Sequence, residues 1–311
     1  TVDVAARFEA RRNRSFVYCQ APNAGLIELD EQPPLPHDKD ALDISLTVSG
    51  MLGAHPVPLL QTMRKTVVDG SNTSGFQRTT LVATDGVLET EGGPVGIDVL
   101  CLEEDSARKL DSELTTSGEV VTWNLDRLGI PLIEIATAPD IKTPDHAKQT
   151  SIALGRTLRD TRRVRRGLGS IRQDLNVSIM CGDRVEIKGC QDLEWIPRII
   201  RCEMARQLHF YRLANQLREM HGLPSLPNDR REESESIEDQ VNKILPLKLV
   251  DVTSRFTSCN ANRVKHGLSE KSVMLALPLP GFSGLIGTKE FDADGAQMPR
   301  LGRELAGAAK L

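Results

Sequence analysis

The fold class is decided by the stretch Asp174-Leu-Asn-Val-Ser-Ile-Met-Cys-Gly-Asp-Arg-Val-Glu-Ile-Lys188, in which polar and apolar residues alternate on both sides of a glycine. A period of two places each polar set on one face of a strand. Both polar sets lie on the same face only if the numbers of each two paired residues add up to an even number. A three-residue loop, Cys181-Gly-Asp183, satisfies this condition. The stretch therefore predicts an antiparallel hairpin with one polar face. Its predicted pairs are Met180 with Arg184, Ser178 with Glu186, Val177 with Ile187, and Asn176 with Lys188.

Residues 1–140 are also typical of β-structure, with glycines and short alternating runs. Asp85-Gly86 lies between two such runs, Thr79–Thr84 and Val87–Thr90, and this dipeptide is a strong signal for a two-residue hairpin turn. We therefore predict a second hairpin there. Further strands are predicted at Val95–Leu102, Glu119–Leu125 and Ile130–Ala136.

A helix is predicted from Thr143, which can cap it, to about Asp160, with Pro144 at the first helical position. A second helix is predicted from Pro197 to about Gly222, and Pro224–Glu235 has the composition of a linker. The patterns together predict an α+β protein. Its first part is a mixed, mainly antiparallel domain with helices.

Composition excludes several classes of protein. Hydrophobic residues make up 39% and charged residues 26% of the 311 residues, as in globular proteins of two domains. No run approaches the roughly 18 apolar residues of a membrane span, and the first residues lack the pattern of a signal peptide. The net charge is −4, so binding of nucleic acid would need a local basic patch. Because the chain lacks an initiator Met and ends without a closing pattern, we expect a fragment.

The six cysteines and six histidines are scattered, without the paired spacings of disulfide frameworks or zinc sites. We therefore expect reduced thiols in a cytoplasmic protein and no zinc site. Aromatic residues make up only 4%, which argues against a base-stacking RNA-recognition sheet. No Gly-x-Ser-x-Gly motif and no evident Cys–His arrangement predicts a catalytic nucleophile.

Carboxylates interrupt several apolar strands. Glu134 lies among apolar residues, Glu103-Glu104-Asp105 ends a predicted strand, and Asp174 and Glu186 share the polar hairpin face with Lys188. A hard cation is one way to offset the cost of burying a carboxylate. Such a set suits Mg²⁺-assisted phosphoryl transfer, with acidic side chains from separate segments converging on one cation. The alternative is a solvated sheet face and an exposed acidic turn.

Two further segments are candidates for binding anions. The loop Asp69–Arg78 is rich in glycine and hydroxyl groups, and its backbone N–H groups could hold a phosphate, although it is neither a Walker A nor a G-x-G-x-x-G motif. A plain surface loop is the alternative. Seven arginines lie between Arg156 and Arg172, a density that suits a phosphate backbone or, alternatively, a solvated helix end.

The sequence resembles the E-subunit family of the archaeal glutamyl-tRNA(Gln) amidotransferases, which is related to the bacterial-type B subunit. The matching stretches are Met63-Arg-Lys-Thr-Val-Val-Asp-Gly-Ser-Asn-Thr-Ser-Gly-Phe-Gln-Arg-Thr79, Cys101–Asp105, Leu125-Asp-Arg-Leu-Gly-Ile-Pro-Leu-Ile-Glu-Ile-Ala-Thr-Ala-Pro-Asp140, Arg166-Gly-Leu-Gly-Ser-Ile-Arg-Gln-Asp-Leu-Asn-Val-Ser178 and Val185–Gly189. The Ser-Asn-Thr-Ser-Gly-Phe-Gln loop favours the E type over the B type. So do Pro278–Gly287 and Leu301–Leu305, which look like the insertion domain shared with bacterial-type aspartyl-tRNA synthetases.

The resemblance implies a reaction and a domain plan. It implies a cradle-shaped catalytic domain in residues 1–205, a helical connector in 206–235 and a truncated α/β insertion domain in 236–311. ATP would phosphorylate the side chain of a glutamate attached to tRNA(Gln), and ammonia would then displace the phosphate. The ammonia would come from an asparaginase-like amidohydrolase subunit, in an assembly with two copies of each subunit. The family's N-terminal strand and C-terminal tRNA-binding regions would lie outside this chain.

The resemblance also implies site residues, with ATP and Mg²⁺ as cofactors. Glu134 matches the family's metal-binding glutamate, with Glu186 as a second candidate ligand. The remaining candidates are catalytic Glu104, Asp174 and Lys188; ATP-binding Ser71, Thr73, Ser74, Gly75 and Arg78; and tRNA-binding Arg162, Arg163, Arg165, Arg166 and Arg172. Two other functions stay open: a B-type amidotransferase that also acts on Asp-tRNA(Asn), and a tRNA-binding module without catalytic activity.

Overall fold

The computed structural model describes residues 4–115, 118–232, 236–244, 248–287, 289, 291, 295 and 297–308. The chain divides into two compact units, Thr1–Arg172 with Gln191–Glu194, and Gln173–Cys190 with Trp195–Leu311. No described helix combines the length and the apolar character that crossing a bilayer requires. The predicted functional division at residues 205 and 235 stays a prediction.

The first unit combines helices with seven strands among its described residues. Its elements in chain order are α1 (Val4–Arg11), β1 (Arg14–Cys19), α2 (Lys39–Met51), β2 (His55–Thr66), β3 (Phe76–Leu88), β4 (Val95–Glu104), β5 (Arg108–Thr115), β6 (Gly118–Asn124), β7 (Pro131–Thr137) and α3 (Pro144–Asp160). A short 3₁₀ turn, Leu125–Arg127, precedes β7. The mixed α+β character predicted from the sequence is confirmed.

The main sheet has four antiparallel strands in the order β2-β3-β4-β7. Alternate residues of these strands point to opposite faces, and one face packs against α2 and α3. The core between them is apolar and fully enclosed at Val48, Val82 and Leu100. Its burial is the main contribution to the stability of this layer. The opposite face of the sheet is polar.

A second sheet has three strands in the order β1-β6-β5. The β1 strand is parallel to β6, whereas β5 pairs with β6 in the antiparallel sense. A small core of Ala107, Val121, Trp123 and Leu125 supports this sheet, with Phe16 packed against it. The adjacent predicted strands, Glu119–Leu125 and Ile130–Ala136, therefore belong to different sheets. The sequence patterns predicted none of α2, β2 and β5.

The hairpin predicted at Asp85-Gly86 is wrong, because β3 continues through this dipeptide and the chain turns after Leu88. Asp85 has a φ of 56°, so the strand bends there without reversing. The backbone N–H of Val87 donates to the carbonyl of Leu52, beyond the end of α2, at 2.8 Å. A Cβ at Gly86 would lie 3.0 Å from that carbonyl oxygen. The dipeptide thus allows the segment after α2 to approach β3 closely. Such a contact between distant parts of the chain cannot be predicted from the local sequence pattern.

The first predicted helix is confirmed as α3. Thr143 caps it, since its hydroxyl accepts a hydrogen bond from the backbone N–H of His146 at 3.1 Å. Pro144 occupies the first turn, where its missing N–H removes no helical hydrogen bond.

Most residues in the described elements of the second unit are helical. They are β8 (Leu175–Val177), β9 (Val185–Ile187), α4 (Ile196–Met220), α5 (Ile237–Ile244), β10 (Val250–Asp251), α6 (Asn262–Ser269), β11 (Leu275–Ala276) and α7 (Leu301–Ala308). Two short 3₁₀ turns also occur in this unit, at Arg230–Glu232 and Thr253–Arg255, and a third, Leu193–Trp195, spans the boundary between the units. The second predicted helix is confirmed as α4. The resemblance to a synthetase insertion domain stays a prediction.

The hairpin at β8 and β9 confirms the predicted polar face but not the predicted register. Its pairs are Leu175 with Ile187, Asn176 with Glu186, and Val177 with Val185. The sum of paired numbers is even, as predicted, but the register is shifted and the loop is longer than three residues. Pairing stops after Val177, where the side chain of Gln207 of α4 accepts from the N–H of Ile179 at 3.1 Å and donates to the carbonyl of Val177 at 3.0 Å. The helix thereby occupies backbone groups that the next strand pairs would have used.

Candidate functional site

The polar face of the four-stranded sheet collects several charged side chains of the first unit. Residues paired directly across neighbouring strands point to the same face of the sheet. The pairs Lys65–Gln77, Thr79–Glu103 and Cys101–Glu134 lie on the face opposite α2 and α3. We call this set the carboxylate face: Lys65 of β2, Gln77 and Thr79 of β3, Cys101 and Glu103 of β4, and Glu134 of β7.

Glu103 of the carboxylate face accepts hydrogen bonds from three side chains, and its own side chain is only 8% exposed. Thr79 Oγ1 donates to Glu103 Oε1 at 2.8 Å, and Lys65 Nζ donates to the same oxygen at 3.2 Å. Gln77 Nε2 donates to the other carboxylate oxygen at 3.3 Å. Burying a carboxylate is costly unless donors and a cation compensate for the lost water. Glu103 is therefore a charge held in place by groups from β2 and β3.

The pKa of the Cys101 thiol is shifted by burial and by the charges around it. Burial raises the pKa of its thiol, and the carboxylates of Glu134 and Glu103 raise it further, while Lys65 has the opposite effect. A higher pKa means less thiolate, the form that acts as a nucleophile. Cys101 is therefore a poor nucleophile, and the two carboxylates are close enough to influence the same thiol.

Glu104 and Arg78, both predicted site residues, lie on the other side of the sheet. Because successive residues of a strand alternate, Glu104 points away from the face that holds Glu103. Arg78 Nε donates to Glu104 Oε1 at 2.8 Å, and Arg78 Nη1 donates to the carbonyl of Leu35 at 2.5 Å. The Arg78 side chain is 14% exposed. Its charge is thus neutralised by Glu104 within the first unit.

A cavity of about 170 Å³ adjoins this ion pair and is lined in part by Leu35, His37, Arg78 and Glu104. The ring nitrogen Nε2 of His37 lies 3.1 Å from Thr80 Oγ1. Burial lowers the pKa of His37, the charge of Arg78 lowers it further, and Glu104 opposes both. The neutral imidazole is therefore favoured in the folded chain.

The hydroxyl groups of the predicted ATP loop make hydrogen bonds within the chain. Ser71 is buried, and its hydroxyl donates to Asn72 Oδ1 at 3.4 Å. Thr73 Oγ1 donates to the carbonyl of Glu28 at 2.9 Å, and Ser74 Oγ donates to that of Phe76 at 3.2 Å. The N–H of Gly75 donates to the carbonyl of Asn72 at 3.0 Å. These contacts hold the loop in shape, and its role in ATP binding stays a prediction.

The predicted arginine segment, Arg156–Arg172, begins in the last turns of α3 and continues beyond its end. Arg162, Arg163, Arg165, Arg166 and Arg172 are all exposed. Arg163 Nη2 lies 3.3 Å from Asp40 Oδ1, and Arg172 Nη2 lies 3.3 Å from Asp105 Oδ2. The exposed Arg163–Asp40 pair contributes at most about 1 kcal/mol, so the charge of Arg163 stays available for an anion. Arg172 differs, because its partner Asp105 has a side chain that is only 10% exposed.

In the second unit, the hairpin brings together the three other predicted site residues. Lys188 Nζ lies 2.9 Å from Glu186 Oε1 and 3.3 Å from Asp174 Oδ2. The hydrogen bond to Glu186 is the largest cause of the raised pKa of Lys188, with Asp174 contributing in the same direction. All three side chains are substantially exposed. The roles of these residues stay predictions.

Two residues of the carboxylate face have the oxygen ligands that Mg²⁺ prefers, and the binding of Mg²⁺ stays a prediction. Across the described part of the chain, no three or more His, Cys, Asp or Glu side chains form a metal-binding group. Glu103 and Glu134 nevertheless present two carboxylates on one face, with the hydroxyl of Thr79 beside Glu103. Mg²⁺ often uses one or two carboxylates and completes its shell with phosphate oxygens and water.

The acidic run Glu103-Glu104-Asp105 was a candidate as a whole, but neither the run nor the resemblance gave a role to Lys65, Gln77 or Thr79. The resemblance selected Glu104 and not its neighbour Glu103. Alternation along the Val95 strand places Glu103 on the face of Val99 and Cys101, so this neighbour was within reach of the pattern. Lys65 could not be found in this way, because the sequence patterns predicted no strand over His55–Thr66.

The family of the chain follows from comparison with known proteins. A family model described as the GatB/GatE catalytic domain matches residues 8–294. The chain therefore belongs to the GatB/GatE catalytic domain family.

Curated relatives give a finer comparison. The chain is 44% identical, over 100% of its length, to a protein of Methanocaldococcus jannaschii that is named as the E subunit of glutamyl-tRNA(Gln) amidotransferase. Proteins with the same name from Sulfurisphaera tokodaii and Pyrococcus furiosus are 43% identical over 92% and 99% of the chain. The chain spans 45% of the first and third relatives and 42% of the second. The resemblance stated from the sequence is thus confirmed.

Proposed function

We propose that this chain is part of an enzyme that converts glutamate attached to tRNA(Gln) into glutamine, at the expense of ATP. The observation that carries the proposal is the carboxylate face, in a chain 44% identical to a named component of glutamyl-tRNA(Gln) amidotransferase. Two acidic side chains on one sheet face, next to Lys65, provide the mixture of charges that phosphate chemistry needs.

The reaction has two steps. A side-chain carboxylate oxygen of the esterified glutamate forms a bond to the γ-phosphorus of ATP, and the bond from that phosphorus to the bridging oxygen breaks, which releases ADP. Ammonia then attacks the carbonyl carbon of the acyl phosphate, the carbon–oxygen bond to phosphate breaks, and the nitrogen loses a proton. The first step is required because a free carboxylate is a poor electrophile.

The carboxylate face provides groups for the first step. Glu134 and Glu103 would hold Mg²⁺, which when bound neutralises charge on the phosphates of ATP. Lys65 is held by Glu103 at 3.2 Å and adds a positive charge on the same face. In this proposal the loop residues Ser71, Thr73, Ser74 and Gly75 contribute to ATP binding, whereas Arg78 and Glu104 form an ion pair on the other side of the sheet and do not contact an ATP held at the carboxylate face.

The hairpin group would contribute separately. Asp174 and Lys188 are proposed as catalytic residues and Glu186 as a metal ligand, on the resemblance alone. The exposure of Lys188 leaves its ammonium group accessible to a phosphate.

The proposal includes partners. The tRNA would bind the exposed arginines of residues 162–172, since arginine contacts phosphates in a bidentate manner. Ammonia would come from an asparaginase-like amidohydrolase subunit, in an assembly with two copies of each subunit. This assembly would act in the cytoplasm with the other enzymes of protein synthesis.

The test is transfer of labelled γ-phosphate from ATP to Glu-tRNA(Gln) by the full-length protein. Glu134→Ala should abolish the transfer and leave tRNA binding largely intact. Glu113→Ala is the matched control, because Glu113 is an exposed carboxylate of β5 that lies outside the carboxylate face. Normal phosphorylation by Glu134→Ala would refute the assignment.

The same assay separates the two alternative functions. A B-type enzyme would also phosphorylate Asp-tRNA(Asn). A tRNA-binding module without activity would show salt-sensitive binding and no acyl phosphate.

A further inference from the structure

A four-residue turn, Gly167–Ser170, forms the tip of the arginine segment. The N–H of Ser170 donates to the carbonyl of Gly167 at 3.3 Å, and its hydroxyl donates to the same oxygen at 2.8 Å. Gly169, the third residue, has a φ of 77°, as a type II turn requires. Leu168 therefore occupies the second position, at the outer corner of the turn.

Leu168 is completely exposed, with a relative accessibility of 101%. A leucine at an outer turn corner receives no packing from its own turn, although burying such a side chain is favourable. A leucine presented in this way is a ready apolar contact for a partner.

The residues that precede Leu168 specify the charge of that partner. Arg165 and Arg166 are exposed and form no ion pair with any residue that the structure describes. Among the described residues, the guanidinium of Arg163 forms an ion pair with the exposed Asp40 alone. The whole chain has a net charge of −4, so it does not attract anions in general. The concentration of positive charge in this segment therefore favours an anionic ligand that binds at the segment itself.

The exposed Leu168 beside Arg165 and Arg166 suits a single-stranded nucleic acid as the ligand. An unpaired nucleotide offers a phosphate for arginine and an apolar base face, whereas a paired base inside a helix has its faces covered by stacking. Aliphatic side chains, leucine among them, are known to pack against or between bases. An acidic protein surface would satisfy the arginines but would offer no base face to the leucine at the corner of the turn.

We propose that the turn Gly167–Ser170 binds an unpaired RNA end, with Arg165 and Arg166 on its phosphates and Leu168 against the face of a base. This inference rests on the proposed function, in which tRNA is the substrate carrier. It adds that binding here depends on an apolar contact with an unpaired base, and not on charge alone.

The experiment measures binding of the full-length protein to two uncharged tRNA(Gln) transcripts, one complete and one without its unpaired 3′ nucleotides. Leu168→Ala should weaken binding of the complete transcript about five- to tenfold and leave binding of the shortened transcript unchanged. Leu168→Phe should retain the affinity, since an aromatic ring also packs on a base. Leu114→Ala is the control, because Leu114 is 82% exposed on β5, outside the basic segment.

Salt dependence separates the two contributions. The double variant Arg165→Gln with Arg166→Gln should reduce the slope of log affinity against log salt by about 1.4, or about 0.7 for each lost phosphate contact with a single strand. Leu168→Ala should leave that slope unchanged. An effect of Leu168→Ala no larger than that of Leu114→Ala, or equal losses with both transcripts, would overturn the inference and leave the proposed function intact. Absence of tRNA binding by the unmodified protein would overturn both.

Discussion

Replacing Gly70 or Gly75 with alanine tests how the predicted ATP loop is held. Both glycines have positive φ, 84° and 75°, a conformation that costs an alanine about 1–2 kcal/mol. At Gly70 a Cβ would also lie 2.4 Å from Cδ1 of Phe16, whereas at Gly75 nothing lies within 4 Å. Overpacking costs typically about 1–3 kcal/mol. We therefore expect Gly70→Ala to destabilise the chain by about 2–5 kcal/mol and Gly75→Ala by about 1–2 kcal/mol.

Urea unfolding measures the two free energies. Repeating both substitutions in a Phe16→Ala background isolates the steric part, because the smaller side chain removes the overlap. In that background the loss of unfolding free energy caused by Gly70→Ala should exceed that caused by Gly75→Ala by about 0.5 kcal/mol or less, the level expected for independent sites. Equal effects in the unmodified background would show that Gly70 does not pack on Phe16, and the account of the loop would be wrong.

Three further predictions concern the first unit. Glu103→Gln should reduce phosphorylation of Glu-tRNA(Gln) by at least about tenfold, measured with labelled ATP, because it removes one of two carboxylates of the proposed metal site. His37 has a lowered pKa in the folded chain, so the unfolded chain binds more protons and stability should fall as the pH drops below about 6.5. His37→Gln should flatten that dependence in urea unfolding at about pH 7.5 and about pH 5.5. Cys101 is buried with a raised thiol pKa, so iodoacetamide should label the exposed Cys19 and Cys202 well before it, as mass spectrometry of peptides would show.

Local rules account for what the sequence predicted correctly. The start of α3 follows from Thr143 and Pro144, whose effects act within one turn of helix. The strands β4, β6 and β7 follow from alternation, and so does the shared polar face of the β8–β9 hairpin. Each of these properties depends on residues a few positions apart.

Contacts between distant segments account for what was missed. Asp85-Gly86 has the composition of a hairpin turn, but the approach of Leu52 keeps it inside a strand. The point at which the hairpin pairing stops coincides with hydrogen bonds to Gln207, a residue of α4 that follows the hairpin in the chain. The β2 strand is mostly exposed at a sheet edge, so it lacks the apolar alternation by which strands are recognised.

For this protein, the sequence by itself determined the α+β character, the capped helix α3, the acidic and basic candidate segments and the family. Only the tertiary structure decided that Glu103, and not Glu104, shares a sheet face with Glu134, and that Lys65 lies beside it. The physical reason is that a side chain's facing depends on strand register, and register depends on which distant backbone groups form hydrogen bonds.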